Sequence, residues 1–206
     1  MPRDKTENHI KIMAAAKEEF LEYGYEKASM RGIADRCGLT AAGIYRHCKD
    51  KEDLFCQLVS PSEEKLKKWA GGHLRRYEEL VASGQKKGKK ITWQDSNIDM
   101  MREVVYPNMV DYHILIAKSK GSRYENFLHD MTEESQNRFL SYLEELRTAG
   151  FNTPNISPRQ LHLLLTAYLT ALFEPVVHNY SYEEAVAALE TLEKFFLPGW
   201  KQLMDL

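Results

Sequence analysis

The chain of 206 residues carries 28 Lys and Arg against 30 Asp and Glu, is 43% hydrophobic and has a formal net charge of -2. That apolar content is ample for a packed core, which excludes a disordered chain, and the near-balanced charge excludes attraction to polyanions through bulk charge alone. Three cysteines without C-x-x-C spacing, Cys37, Cys48 and Cys56, make neither a disulfide framework nor a zinc site and read as reduced thiols.

The opening MPRDKTENHIKIM lacks a stretch of signal-peptide length. The longest nearly apolar run, Leu161 to Val177, is interrupted by His162 and Glu174 and reads as too short for a membrane span. A soluble, cytoplasmic protein that needs no membrane, no metal and no cofactor is expected. Residues 1–56 hold ten Lys and Arg against ten Asp and Glu, yet the signs separate. Glu18, Glu19 and Glu22 cluster on one segment, while Arg31, Arg46, Lys49 and Lys51 gather around one turn.

From Lys5 to Tyr23, Ile10, Met13, Ala14, Phe20 and Leu21 recur at helical spacing, and Gly24 stands where the helix would stop. Ser29 can cap a short second helix in which Met30, Ile33, Ala34 and Cys37 share a face, and Gly38 then turns the chain. Thr40 caps a third helix through Ala41, Ala42, Gly43, Ile44, Tyr45 and Arg46, with Leu39 and Ile44 as inward anchors. Asp50 with Asp53 starts a fourth, and Ser60-Pro61-Ser62-Glu63 reads as a further helix start running to about Val81.

Residues 83–90, SGQKKGKK, read as an exposed connection; the spacing of Gly84 and Gly88 fails as a phosphate-binding loop. Helices are expected over about 93–105, 107–119 and Ser122 to Thr148, with two more beginning at Ser157-Pro158 and Ser181. No β-alternating run competes, so the fold class is all-α.

Three short helices, two of them joined by a tight glycine turn, are the layout of a helix-turn-helix. The small residues Ala41, Ala42 and Gly43 would let the last helix approach base edges. Tyr45 and His47 can reach backbone oxygens, and Arg46 can grip guanine with two hydrogen bonds. The stretch 10–55 resembles the DNA-binding domain of the TetR (tetracycline repressor) family, at Ile10, Ala14, Phe20, Gly24, Ser29, Ile33, Ala34, Gly38, Tyr45, His47, Lys51 and Leu54. The resemblance implies an N-terminal three-helix helix-turn-helix domain, 1–56, and a larger helical effector-binding and dimerisation domain, 57–206. It implies phosphate contacts from Thr40, Tyr45, His47 and Lys51, and base or base-proximal contacts from Arg31, Ala41, Ala42 and Arg46.

Leu161 to Val177 is apolar almost all round, while Tyr182, Ala185, Leu189, Leu192 and Phe196 recur by threes and fours. A homodimer interface is expected at Leu165, Leu169, Leu172, Leu189, Leu192 and Phe196. Glu174 lies one turn from His178, its expected partner. Trp93, Met100, Met101, Tyr106, Tyr112, Tyr124 and Phe127 can contribute to a pocket for an aromatic or amphipathic small-molecule effector. Its candidate polar anchors are Tyr106, Tyr112, His113, Tyr168 and Glu174. No nucleophile elbow, H-E-x-x-H or nucleotide fingerprint occurs, so an enzyme is not expected. The reading is a DNA-binding transcriptional regulator, a ligand-responsive repressor on a palindromic operator of double-stranded DNA; the alternative is a constitutive regulator without an effector.

Overall fold

The computed structural model describes residues 5–82, 93–148, 150 and 153–203, and every regular element among them is helical, as expected. Chain contacts divide the molecule into two compact units, Met1–Glu125 and Asn126–Leu206. The stretch 83–90 and the side chain of Trp93 lie outside the described residues.

In the first unit, α1 is Lys5–Lys27, broken at Gly24, whose φ of 71° lies in the region that favours glycine. Its buried face is Ile12, Ala15, Ala16, Glu19 and Phe20, spaced i, i+3, i+4, i+7 and i+8. The sequence pattern predicts the neighbouring stripe: Phe20 is common to both, but Ile10 is 64% exposed and Ala14 and Leu21 face solvent. Two alanines carry little hydrophobic weight, so Ile10 and Leu21 dominate the pattern.

Helix α2, Met30–Cys37, buries Ile33 and Ala34 and packs on α1. Helix α3 is only Ala41–Ile44; beyond it the chain tightens to i→i+3 bonds, with the Arg46 amide donating to the Gly43 carbonyl and that of His47 to Ile44. Phe20, Phe55 and Tyr25 form an edge-to-face cluster beneath these helices, with centroids 5.0 and 5.1 Å apart. Such pairs contribute ~0.5–1.5 kcal/mol each beyond their burial.

Helix α4 is one element, Lys51–Ala82. Asp50 accepts the amide of Asp53 at 2.8 Å, and Asp53 accepts that of Lys49 at 2.8 Å, so the expected start is observed. The expected second start at Ser60-Pro61 is absent, because α4 passes straight through Pro61. An interior proline costs ~3 kcal/mol in a lost bond and a steric clash. Burial of Leu58, Val59 and Leu66 around it, at ~1.5–3 kcal/mol per fully buried side chain, offsets that cost.

Helix α5, Trp93–Met100, runs into a π-helical turn, Met101–Val105, and a 3₁₀ turn, Tyr106–Asn108, before α6, Met109–Ala117. Helix α6 packs on both α1 and α4. Lys17 pairs with Asp111 at 2.6 Å, and the amide of Tyr25 donates to the carbonyl of Lys118 at 2.7 Å.

The second unit holds α7, Phe127–Thr148, α8, Pro158–Val177, and α9, Tyr182–Leu203; α8 packs on both of the others. Ser157 with Gln160 and Ser181 with Glu184 close reciprocal capping boxes, so both expected starts are observed. Helix α7 begins five residues later than expected, after a stretch of turns that includes Gly121 at φ 85°. Contrary to the sequence reading, the 20-residue α8 is long and apolar enough to cross a membrane by length and composition alone; here Leu161, Leu172, Phe173 and Val176 are buried. The division expected at 56/57 falls inside α4, which belongs wholly to the first unit.

Candidate nucleic-acid interface

The turn between α2 and α3 is built from local chemistry. The side chain of Ser29 accepts the amide of Gly32 at 2.9 Å and that of Thr40 accepts the amide of Gly43 at 3.1 Å, each cap worth ~1 kcal/mol. Between them Gly38, at φ 65°, ends α2 in the left-handed conformation, and the amide of Leu39 donates back to Ala34 at 3.0 Å. Ile44 is fully buried and pins α3 from beneath.

The opposite side of α3 is open. Ala42, Tyr45 and Arg46 are exposed, with Tyr45 at 51%; Ala41 and His47 are half-buried, and Arg31 is exposed on α2. The ring of His47 stacks on that of His9 with centroids 6.0 Å apart. Small residues at the leading end, a phenol and a guanidinium on one face suit a major groove ~12 Å wide.

Lys51, expected to contact phosphate, has partners within the chain. Its ammonium donates to the carbonyls of Tyr25, Glu26 and Ala28 at 2.7, 3.3 and 3.2 Å and lies 4.4 Å from the centre of the Tyr25 ring. Three donors meet three acceptors, so in this conformation Lys51 ties the α1–α2 corner to the start of α4. Burial, followed by a hydrogen bond to Glu52, pushes the Tyr25 phenol well above its usual range.

The acidic segment of α1 has partners on α2 that its local pattern does not reveal. Glu19, only 4% exposed, accepts the amide of Ser29 at 3.2 Å and Nε of Arg36 at 2.8 Å. Arg36 also meets Glu22 at 2.5 Å and Glu18 at 3.6 Å. Glu19 and then Glu22 hold its guanidinium further above its already high range, while bonds from Tyr23 and then Arg36 lower the Glu22 carboxyl. The signal was present: Glu19 occupies the i+7 position of the stripe that begins at Ile12.

The cysteines are unpaired thiols. Burial, with Asp53 and Asp50 nearby, pushes Cys48 up to about 11, and burial also raises Cys56. Low thiolate content argues against a fast redox role for either.

The expected effector anchors have separate occupations. Tyr112 is fully buried and its hydroxyl donates to the carbonyl of Ser62 at 2.6 Å, a bond within the core. Burial raises that phenol well above its usual range. His113 is 6% exposed and Tyr106 half-buried, both in the first unit. In the second, Tyr168 meets Phe196 edge-on at 5.3 Å, and Glu174 meets Nε2 of His178 at 2.9 Å as expected.

Two surface depressions, of about 550 and 400 Å³, contain none of these anchors. Of the expected dimer residues, Leu165, Leu169, Leu192 and Phe196 are half-buried. Leu172 and Leu189, 3% and 1% exposed, are already covered by their own chain and have no area left for a partner.

Residues 12–58 match the family described as bacterial regulatory proteins, tetR family. An HTH-type transcriptional repressor of Mycobacterium tuberculosis is 32% identical over 66 residues, covering 30% of this chain and 35% of that protein. An HTH-type transcriptional regulator of Staphylococcus aureus is 26% identical over 149 residues, covering 66% and 80%. The chain therefore spans about a third of the first relative and four-fifths of the second. NalD, the secondary repressor of the MexAB-OprM multidrug efflux pump in Pseudomonas aeruginosa, shares the fold at a TM-score of 0.54 and 19% identity, over 93% of this chain and 96% of that one. A transcriptional regulator from Aquifex aeolicus does so at 0.53 and 22%, over 91% and 96%.

Proposed function

We propose, from the match of residues 12–58 to the tetR family of bacterial regulatory proteins, that the chain is a member of that family and a cytoplasmic, homodimeric repressor that releases its operator when a small molecule binds outside the helix-turn-helix. The observation that carries this reading is the doubly capped α2–α3 turn, with Tyr45, Arg46 and Ala42 exposed above the buried Ile44. Residues 1–56 act as the DNA reader and 57–206 as the effector-binding and dimerising part. Arg46 reads a base, with Ala41, Ala42 and Arg31 beside it, and Thr40, Tyr45 and His47 hold phosphates. Lys51 shapes the module from behind, as its three carbonyl partners indicate.

Dimerisation is supported by uncovered apolar and small side chains on the second unit. On α8, Leu163, at 68%, is followed by Thr166, Ala167 and Thr170; on α9, Ala187 and Thr191 lead to Phe195, at 78%. Covering them with a second copy gives a four-helix arrangement.

For the effector, the Tyr112 hydroxyl, its one donor spent on Ser62, favours the constitutive alternative as far as that anchor is concerned. The ligand-responsive reading draws on fold-sharing proteins such as a gamma-butyrolactone receptor, similar at a TM-score of 0.51 and 16% identity over 92% of this chain and 98% of that one. An aromatic or amphipathic effector remains the proposal.

The test is selection of bound fragments from random double-stranded DNA by the intact protein. We expect a pseudopalindrome with half-sites about 34–36 Å apart or a multiple of that; enrichment of no sequence overturns the reading. Thermal shift with aromatic and amphipathic compounds, followed by operator release, separates the two versions. A compound that stabilises the protein and lowers operator affinity supports the ligand-responsive one; none in a broad screen leaves the constitutive regulator.

A further inference from the structure

The geometry points to Glu19, Gly32 and Arg36 as a positioning cluster that sets α2, and through it α3, for operator binding. The inference rests on the DNA-binding reading above and adds residues outside the expected contact surface. Helix α2 has no acidic residue in its own first turn; that turn carries Arg31. A helix N-terminus favours a nearby negative charge, and α1 supplies one. The carboxylate of Glu19 accepts the Ser29 amide at the head of α2 with one oxygen, at 3.2 Å, and Nε of Arg36 in the last turn of the same helix with the other, at 2.8 Å. One side chain thus holds both ends of an eight-residue helix.

Gly32 makes room for this. A Cβ at position 32 would lie 2.2 Å from Oε1 of Glu19 and 2.9 Å from Oε2, inside any allowed contact. The same carboxylate forms part of the wall of an open depression of about 400 Å³ shared with Tyr23, Lys27, Gly32 and Arg36. A methyl group at 32 therefore has a low-cost outcome for the fold: Glu19 swings towards water and gives up both bonds. Helix α2 loses its anchor while the core residues Ile33 and Ala34 keep their places. The turn at Gly38 passes any rotation of α2 directly to Thr40, Tyr45 and Arg46.

The experiment compares Glu19→Ala, Gly32→Ala, the double variant and Glu19→Gln, as intact proteins on an operator selected with the parent. Circular dichroism, sedimentation and binding to non-specific DNA are the controls. Each single variant and the double should bind the operator about tenfold more weakly, the order of one charge-assisted contact, with non-specific binding little changed. The double should lose no more than either single, because both act on one carboxylate. Glu19→Gln keeps the shape and one acceptor and should recover part of the loss.

Operator affinity of Gly32→Ala equal to the parent, or losses that add in the double variant, would overturn the assignment. Parallel losses on specific and non-specific DNA would do the same, since they indicate a general loss of fold. If Glu19→Ala does not fold, Gly32→Ala and Glu19→Gln carry the test. Failure of the parent to select any operator counts against the DNA-binding reading and is read separately.

Discussion

The amide of Tyr25 donates to the carbonyl of Lys118 at 2.7 Å, joining the corner at the end of α1, just past its break at Gly24, to the end of α6. On the other side of that corner, Lys51 collects the carbonyls of Tyr25, Glu26 and Ala28. A residue expected to touch phosphate is thereby part of a joint, and its substitution should show as stability. We expect Lys51→Met to lower the unfolding free energy by about 1–3 kcal/mol, the range for hydrogen bonds to charged groups. The slope of operator affinity against salt should stay as in the parent. A slope reduced by about one unit per chain, with unchanged urea midpoint, would return Lys51 to the phosphate contacts.

Arg46 and Tyr45 should behave oppositely. Arg46→Ala is expected to cost about 1–3 kcal/mol per half-site and to relax preference at particular base pairs. Tyr45→Phe, which removes only the hydroxyl, should weaken all sequences alike. Titration of each against the selected operator and its single-base variants checks both; affinities equal to the parent for both would remove them from the interface.

For the proposed dimer, Phe195→Glu and Leu172→Glu should give contrasting outcomes. Phe195 is 78% exposed in the single chain, so the charge should dissociate the dimer and leave the helical content intact. Leu172 is 3% exposed, so the same charge enters the core and should unfold the second unit. Sedimentation and circular dichroism together distinguish these results, and a dimeric, folded Phe195→Glu protein would count against this surface.

Acid should weaken the start of α4. The amide of Lys49, then the side chain of Gln57, lowers the Asp53 carboxyl from its ordinary 3.8. A depressed folded value means that the contribution is fully present above 3.8 and disappears as pH falls below it towards the folded value. The urea midpoint should therefore fall below about pH 4, and more gently in Asp53→Asn; identical acid limbs would exclude Asp53 as a source.

Cys48 should be a slow thiol. With its value pushed up to about 11 from 9.0, its thiolate is roughly a hundredfold scarcer near neutral pH than that of an unshifted cysteine. Mass spectrometry of the native protein after a pulse of alkylating reagent at pH 8 should find Cys48 largely unmodified, with labelling rising towards pH 11. Rapid labelling of Cys48 in the folded state would contradict this.

The caps were legible in the sequence because their chemistry closes within a few residues: Ser29 to Gly32, Thr40 to Gly43, Asp50 to Asp53, Ser157 to Gln160. The exposed face of α3 followed from them, since one anchor at Ile44 fixes which side looks outward. What stayed hidden depends on distant partners. Lys51 meets carbonyls 23 to 26 residues away and Tyr112 a carbonyl 50 away, and nothing local separates an aromatic residue that lines a pocket from one that fills a core. Glu19 was masked differently, by alanines that understate the stripe on which it lies. Leu172 and Leu189 were legible as apolar but not as already covered, because periodicity finds a face without naming what faces it.

Helix α4 runs without interruption from Lys51 to Ala82, through Pro61. A loop at this place would absorb an added residue as slack. A helix converts it into phase: one inserted residue advances everything downstream by ~1.5 Å and turns it by about 100°. Insertion near position 61 would swing Ser62 away from the Tyr112 hydroxyl and expose Leu66 in place of its neighbours, although no side chain had been lost. Length in this stretch is therefore constrained as tightly as residue identity, and whole turns of three or four residues are the increments by which it can change.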